Sequence, residues 1–166
     1  LGRELDANHT TIMRHADRLG RHSLLFHERL RPKEQVPEPL AFDGFRNFEY
    51  SQYHPSEFHI VVGRYSHFTY GFTHSELRRM GSMTSAQKVR RRELEAKFGR
   101  PDPSSVRHEV TRVLAVVTAG STRARLTSDE YPDYPTAVRS LTHLEHVDHR
   151  TVSSRAVRNA RNPLFA

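Results

Sequence analysis

The sequence predicts an α/β domain, a mixed β-sheet flanked by helices, with a small helical segment ahead of it. Three observations carry this reading. The strand-like runs "PLAFDGFRNFEY", "EFHIVVG" and "HFTYGFT" follow one another within residues 39–73. Two helical patterns, residues 84–98 and 102–117, come next. Strand, helix and strand then alternate toward the end. A chain of 166 residues is long enough for one good core, or for one domain with an appendage.

In the opening stretch "GRELDANHTTIMRHADRLGRHS", a short helical pattern ends near Ala7 and "NHT" makes a turn. A second helix follows to about Arg21, with Thr10 or Thr11 as N-cap and Ile12, Ala16 and Leu19 facing inward. Helix, short turn, helix is the helix-turn-helix pattern, whose second helix reads the major groove. Its outward positions carry His9, Thr10, Met13, Arg14, Asp17 and Arg18, and an ordinary helical hairpin is the alternative. Residues 1–32 are assigned to this segment, incomplete at its N-terminus because a supporting helix is expected before Leu1. The Pro-rich "RPKEQVPEP" supplies a linker at 33–39, and residues 40–166 form the larger domain. Residues 1–39 hold seven Lys and Arg against six Asp and Glu, whereas residues 40–166 hold nineteen against thirteen.

In the first strand, Leu40 and Phe42 share one face and Ala41 and Asp43 the other. "GRYS" reads as the hairpin turn between the next two strands, and Phe58, Ile60, Val62, Phe68, Tyr70 and Phe72 as sheet core. The first long helix is closed by Gly99 and Pro101. The second starts with Asp102 as N-cap and Pro103 at its first position. It carries an apolar stripe of Val106, Val110, Val113, Leu114 and Val117 and ends by Gly120. A strand ending at Asp129, a helix over 133–141 and a strand near "HVDHRTV" follow. "RNARNPLFA" starts a last helix with Asn162 as N-cap and Pro163 next.

Composition limits the function classes. The net charge of +7 and a pI near 10.2 favour an anionic partner, nucleic acid first. With no cysteine there are no disulfides, thiolate zinc sites or cysteine nucleophile, and the chain suits the cytoplasm. No apolar run reaches the roughly 20 residues needed to span a bilayer, so no membrane partner is expected. His143, His146 and His149 lie three apart in "HLEHVDH", but on a partly extended segment they do not share a face, so zinc is not assigned.

Three antiparallel strands, a helical crossover, a fourth strand, a helix, a fifth strand and a last helix is the ribonuclease H-like order. In that fold the first and fourth strands are neighbours, so Asp43 and Asp129 converge. Paired carboxylates suit hard Mg²⁺ or Mn²⁺, and two such ions can act on a phosphodiester. Asp43 could instead be a turn acid before Gly44, Asp133 reads as a helix cap, and Glu130 as solvent-exposed. Lys88, Arg90, Arg91 and Arg92 form either a solvated face or a phosphate contact.

The helix-turn-helix ahead of "FDGF", the "TSDEYPDY" block and the terminal "VSSRAVRNARNPLFA" resemble bacterial insertion-sequence transposases of the DDE type. The resemblance implies Asp43 and Asp129 as the first and second catalytic acids, holding two Mg²⁺ or Mn²⁺ ions. It implies double-stranded DNA as partner, both element ends and target, and a homo-oligomer when active. Thr10, Arg14 and Arg18, with Lys88, Arg91 and Arg92, become the DNA-binding residues. Such enzymes take a third acid from the helix after the fifth strand. That helix begins at Asn162 here, so the sequence reads as a fragment that is inactive by itself. The competing readings are a catalytically dead remnant that only binds DNA, and a host-type ribonuclease H.

Overall fold

The computed structural model describes residues 7–153 of the chain, which divides into two compact units, 1–32 and 33–166. The described part of the first unit holds one helix, α1 (His9–Leu30), uninterrupted over 22 residues. Its cap is Asn8, whose side chain accepts the Thr10 N–H at 2.8 Å. Thr10 and Thr11 therefore lie inside the helix, not at its cap. Asn is among the strongest N-caps, and it ends the turn two residues earlier than expected. The helix also runs past Arg21 through Gly20, whose cost of about 1 kcal/mol is outvoted by the helix formers around it. No residue of α1 is buried, so Ala16 and Leu19 are exposed and do not form an inward stripe. The first helix of the expected helix-turn-helix falls largely outside the described residues.

The second unit is a five-stranded sheet with helices. Its elements are β1 (Leu40–Phe48), β2 (Pro55–Gly63), β3 (Thr69–Glu76), α2 (Ser85–Phe98), α3 (Ser105–Val117), β4 (Arg123–Ser128), α4 (Asp133–Arg139) and β5 (His146–Thr151). The strand order is β3-β2-β1-β4-β5. β1, β2 and β3 pair antiparallel, while β1–β4 and β4–β5 pair parallel. This is the ribonuclease H-like mixed sheet. The last helix expected at Asn162 and Pro163 lies outside the described residues. Among the described residues no helix is long and apolar enough to cross a membrane.

The core forms where α3 and α4 pack on one face of the sheet. All five stripe residues of α3 are buried, against Leu40, Phe42, Val61 and Leu126 from the sheet and Tyr134, Ala137 and Val138 from α4. The helix approaches β3 so closely that a Cβ on Gly71 would meet Val117 and Val113 methyls at 2.8 and 2.9 Å. Close approach requires small side chains beneath the helix, and this sets the phase of β2 and β3. The covered face carries Glu57, His59 and Val61 of β2 and Thr73 and Ser75 of β3. Tyr70 is buried as expected. Phe68 is half-buried and packs against that core, whereas Phe58, Ile60 and Val62 are only half-buried and Phe72 is 47% exposed, which corrects the assignment of these four to the core.

The caps follow local chemistry. Thr84 and Gln87 form a reciprocal capping box at the start of α2, and Gly99 ends it at φ +90°. Asp102 does not cap α3. Its carboxylate takes the Ser104 N–H at 2.8 Å in a tight turn around Pro103, and Ser104 occupies the cap position. Asp133 is likewise the first residue of α4 and not its cap, and α4 ends at Arg139.

Residues 33–39 belong to the second unit as a strap. Val36 packs against the core and donates its N–H to Ser121 Oγ at 3.4 Å. The Glu38 carboxylate clasps the β2–β3 turn: it accepts from the Tyr65 and Ser66 N–H groups (2.7 and 3.1 Å), the Ser66 hydroxyl and the Tyr70 hydroxyl (2.8 Å). Burial opposes ionisation, but these bonds prevail and hold its pKa at about 2, against an ordinary 4.5. A carboxylate depressed on folding stabilises fully above its unfolded pKa and loses that contribution as pH falls through the folded value. Stability should therefore decline between about pH 4.5 and pH 2. Glu38→Gln should remove that part of the slope and lower stability at pH 7, as read by urea denaturation across the range.

Candidate functional site

Parallel strands present their carboxyl ends at the same edge of a sheet, and ligands of open α/β sheets bind there. β1 and β4 make such a pair in this molecule, with Leu40 beside Leu126 and Ala41 beside Thr127. Two residues past Ala41 is Asp43, and two past Thr127 is Asp129. Asp43 sits inside β1, which continues to Phe48, so it is not a turn acid; one oxygen accepts the Gly44 N–H at 2.7 Å. Asp129 directly follows β4, and one of its oxygens accepts the Tyr131 N–H at 3.0 Å as the chain turns into α4. Asp43 keeps an exposed surface, but the chain packed around it removes enough water to raise its pKa, and the charges of Asp129 and Glu57 raise it further, against the Gly44 hydrogen bond. The Asp129 charge is thus close enough to oppose ionisation of Asp43.

Beneath them lies a polar floor. Gly44 pairs with His59 across β1–β2. A Cβ on Gly44 would lie 2.8 Å from a Glu57 carboxylate oxygen, 2.8 Å from His59 Nδ1 and 2.9 Å from the Tyr134 hydroxyl. Three polar groups therefore close over a position that only glycine leaves open. Glu57 is 4% exposed and pairs with Arg46 at 3.2 Å. His59 is buried, contacts Ser75 Oγ through Nε2 at 3.1 Å, and faces the Tyr134 hydroxyl at 3.5 Å through Nδ1. Burial lowers its pKa to about 4, leaving it neutral at pH 7. Burial, with the negative charges of Asp43, Asp129 and Glu57, raises the Tyr134 pKa far above its ordinary value, so the phenol stays protonated.

Glu57, His59 and Tyr134 were not singled out from the sequence. For Glu57 and His59 the one signal was alternation in "SEFHIVVG", where they occupy the phase opposite Phe58, Ile60 and Val62. Among the described residues no three His, Asp or Glu side chains gather closely enough to hold a metal ion. Glu57 is thus a charged neighbour of the pair. Glu130 is exposed. His143 bonds Thr118 Oγ1 at 2.9 Å and His149 bonds Ser128 Oγ at 3.0 Å, so each serves packing.

The basic residues divide. Thr10, Arg14 and Arg18 are exposed on α1 at four-residue spacing, and Lys88 and Arg92 are exposed on α2 at the same spacing. Arg91 is only 19% exposed. It donates to the Arg79 carbonyl at 3.1 Å and lies 3.5 Å from Glu95, so it is a packing residue and not a free DNA contact. Glu95, one helical turn further on, draws it inward.

No protein-family model matches the chain, and no curated protein matches it. Solved structures similar to it include the N-terminal ribonuclease H domain of a Mycobacterium tuberculosis protein, fused to maltose-binding protein. The identity is 10%, over 77% of this chain and 92% of that one, with a TM-score of 0.35. Another is a simian T-cell lymphotropic virus intasome in complex with the PP2A regulatory subunit B56 gamma. There the identity is 16%, over 76% of this chain and 38% of that one, with a TM-score of 0.30.

The crowding at Gly44 yields a prediction. Gly44→Ala should destabilise the protein by about 1–3 kcal/mol in urea denaturation, the typical cost of overpacking. Adding Tyr134→Phe, which removes the hydroxyl that meets the new methyl, should recover part of the loss. Equal stability of Gly44→Ala and wild type would show that the floor is looser than described.

Proposed function

We propose that residues 33–166 form the catalytic domain of a DNA strand-cleaving and strand-transferring enzyme, a DDE-type insertion-sequence transposase. Asp43 and Asp129 are its metal-holding acids. The observation that carries this reading is the adjacency of Asp43, inside β1, and Asp129, directly after the parallel strand β4, with the Asp43 pKa raised by burial and by the Asp129 charge. The site suits Mg²⁺ or Mn²⁺. Each carboxylate spends one oxygen on a single backbone N–H and keeps the other for a cation. Mg²⁺ is commonly held by one or two carboxylates, with water and substrate phosphate completing its coordination.

When bound, two such ions supply Lewis-acid activation and neutralise charge on the phosphodiester. The chain's own residues do the rest. Asp43 and Asp129 fix the position of the cation site, and Gly44 lets the polar floor close beneath it. Tyr134, held protonated, adds no charge of its own, and neutral His59 leaves the local field negative. Lys88 and Arg92 contact the DNA backbone, where each phosphate contact adds to the salt dependence of binding. Thr10, Arg14 and Arg18 on α1 bind the element end. The active form is a homo-oligomer acting on element ends and target in the bacterial cytoplasm.

Mn²⁺ titration of the full chain tests this reading. Paramagnetic broadening should fall first on the carboxyl signals of Asp43 and Asp129. Either Asp→Asn replacement should weaken binding at least tenfold. Binding that survives the double replacement would remove the proposed site. DNA binding that depends on Arg14 and Arg18 without any Mn²⁺ binding would favour a catalytically dead DNA-binding protein.

A further inference from the structure

A cavity of about 440 Å³ opens between the β1–β2 turn, the end of β3 and α2. Its size falls within the range of small-ligand sites. Three buried polar atoms on its lining residues have no hydrogen-bond partner among the described residues: the Ser56 hydroxyl, Arg79 Nη1 and Arg91 Nε, the last of which has Glu95 at 3.5 Å as an ion-pair partner and so leaves two orphans. Ser56 is 2% exposed. Buried polar groups are nearly always satisfied, because leaving one bare forfeits its hydrogen bonds to water without replacement. Two orphans on one cavity call for a shared acceptor.

The other lining groups narrow its chemistry. The Arg79 guanidinium sits 4.8 Å over the Tyr53 ring, and His54 meets the Phe98 ring edge-on at 6.1 Å. Tyr50, fully exposed, stands at the rim. These are stacking surfaces for a planar ring. Three arginines (Arg78, Arg79, Arg91) face three glutamates (Glu49, Glu76, Glu95), so the lining carries no excess positive charge for a phosphate. Glu95 is engaged by Arg78 at 2.7 and 3.0 Å and by Arg91, whereas Glu49 and Glu76 remain to accept from N–H groups.

We propose that this cavity receives a single unpaired nucleobase, with guanine the best match. Guanine offers two acceptors, O6 and N7, that suit an arginine, and its remaining edge donates N–H groups that suit a carboxylate. The proposal rests on the nucleic-acid reading above and adds a recognition subsite to it. Asp43 and Glu49 are six residues apart, with β1 running between them to Phe48. That is about 20 Å of strand, which matches roughly six nucleotides of duplex rise. One nucleic acid strand could therefore pass the acids and deliver a base to the cavity.

The test uses the full chain carrying Asp43→Asn and Asp129→Asn, without metal, so that it reports on this cavity alone. Guanosine 5′-monophosphate should shift the ring signals of Tyr53, His54 and Phe98. Inorganic phosphate should not, and the other three nucleoside monophosphates should bind at least several-fold more weakly. Arg79→Ala should weaken binding at least tenfold. Ser56→Ala, which removes an orphan hydroxyl and should leave the fold intact, should also weaken it. Equal response to phosphate, ring signals that do not move, or binding unchanged in Ser56→Ala would overturn the proposal. Because the acids are already neutralised, such a failure leaves the metal site standing, and loss of the metal site leaves this cavity standing.

Discussion

The described site depends on one short stretch of backbone pairing, the parallel contact of β1 with β4 at Leu40–Ala41 and Leu126–Thr127. Antiparallel partners could not do the same, because their carboxyl ends point in opposite directions. Parallel pairing aligns them, and an acid two residues past the contact on each strand is then brought beside its counterpart. A parallel pair needs a crossover of a dozen or more residues. α2 and α3 provide it, and α3 also covers the face of the sheet that the contact would otherwise leave wet. The core and the site thus come from the same connection.

The electrostatics follow from what lies beneath. Glu57, His59 and Tyr134 are polar groups in a face that otherwise buries aliphatic side chains, and each has its own form of compensation. Glu57 keeps Arg46, His59 stays neutral against Ser75, and Tyr134 keeps its proton. The uncompensated negative charge is therefore concentrated at Asp43 and Asp129. A cation can lower that energy, and the pairing of strands prevents the acids from moving apart to lower it themselves.

The parts legible in the sequence were those set by local periodicity. The α3 stripe, the Thr84 and Gly99 boundaries of α2 and the order of strands all follow from side-chain spacing and capping chemistry within a few residues. The phase of β2 was not legible, because both of its faces carry apolar residues and the choice is made by the close approach of α3 to Gly71. Arg91 looked like its neighbours Arg90 and Arg92, and only the position of Glu95 and the Arg79 carbonyl separates them. The strap at residues 33–39 read as a linker from its prolines, although Glu38 accepts three hydrogen bonds from a turn nearly thirty residues away and a fourth from Tyr70 in β3. Long-range partners of this kind leave no local signature. The adjacency of Asp43 and Asp129 was legible because the strand order, once read, implies which strands touch.

The central claim is that β1 and β4 hold these two carboxylates in electrostatic contact. It is tested most directly by carbon-13 NMR titration of the Asp43 carboxyl in the wild type and in Asp129→Asn, without metal. The account predicts an Asp43 pKa above the ordinary aspartate range in the wild type, and a clear fall when the Asp129 charge is removed. An Asp43 pKa that is ordinary, or that does not respond to Asp129→Asn, would contradict it.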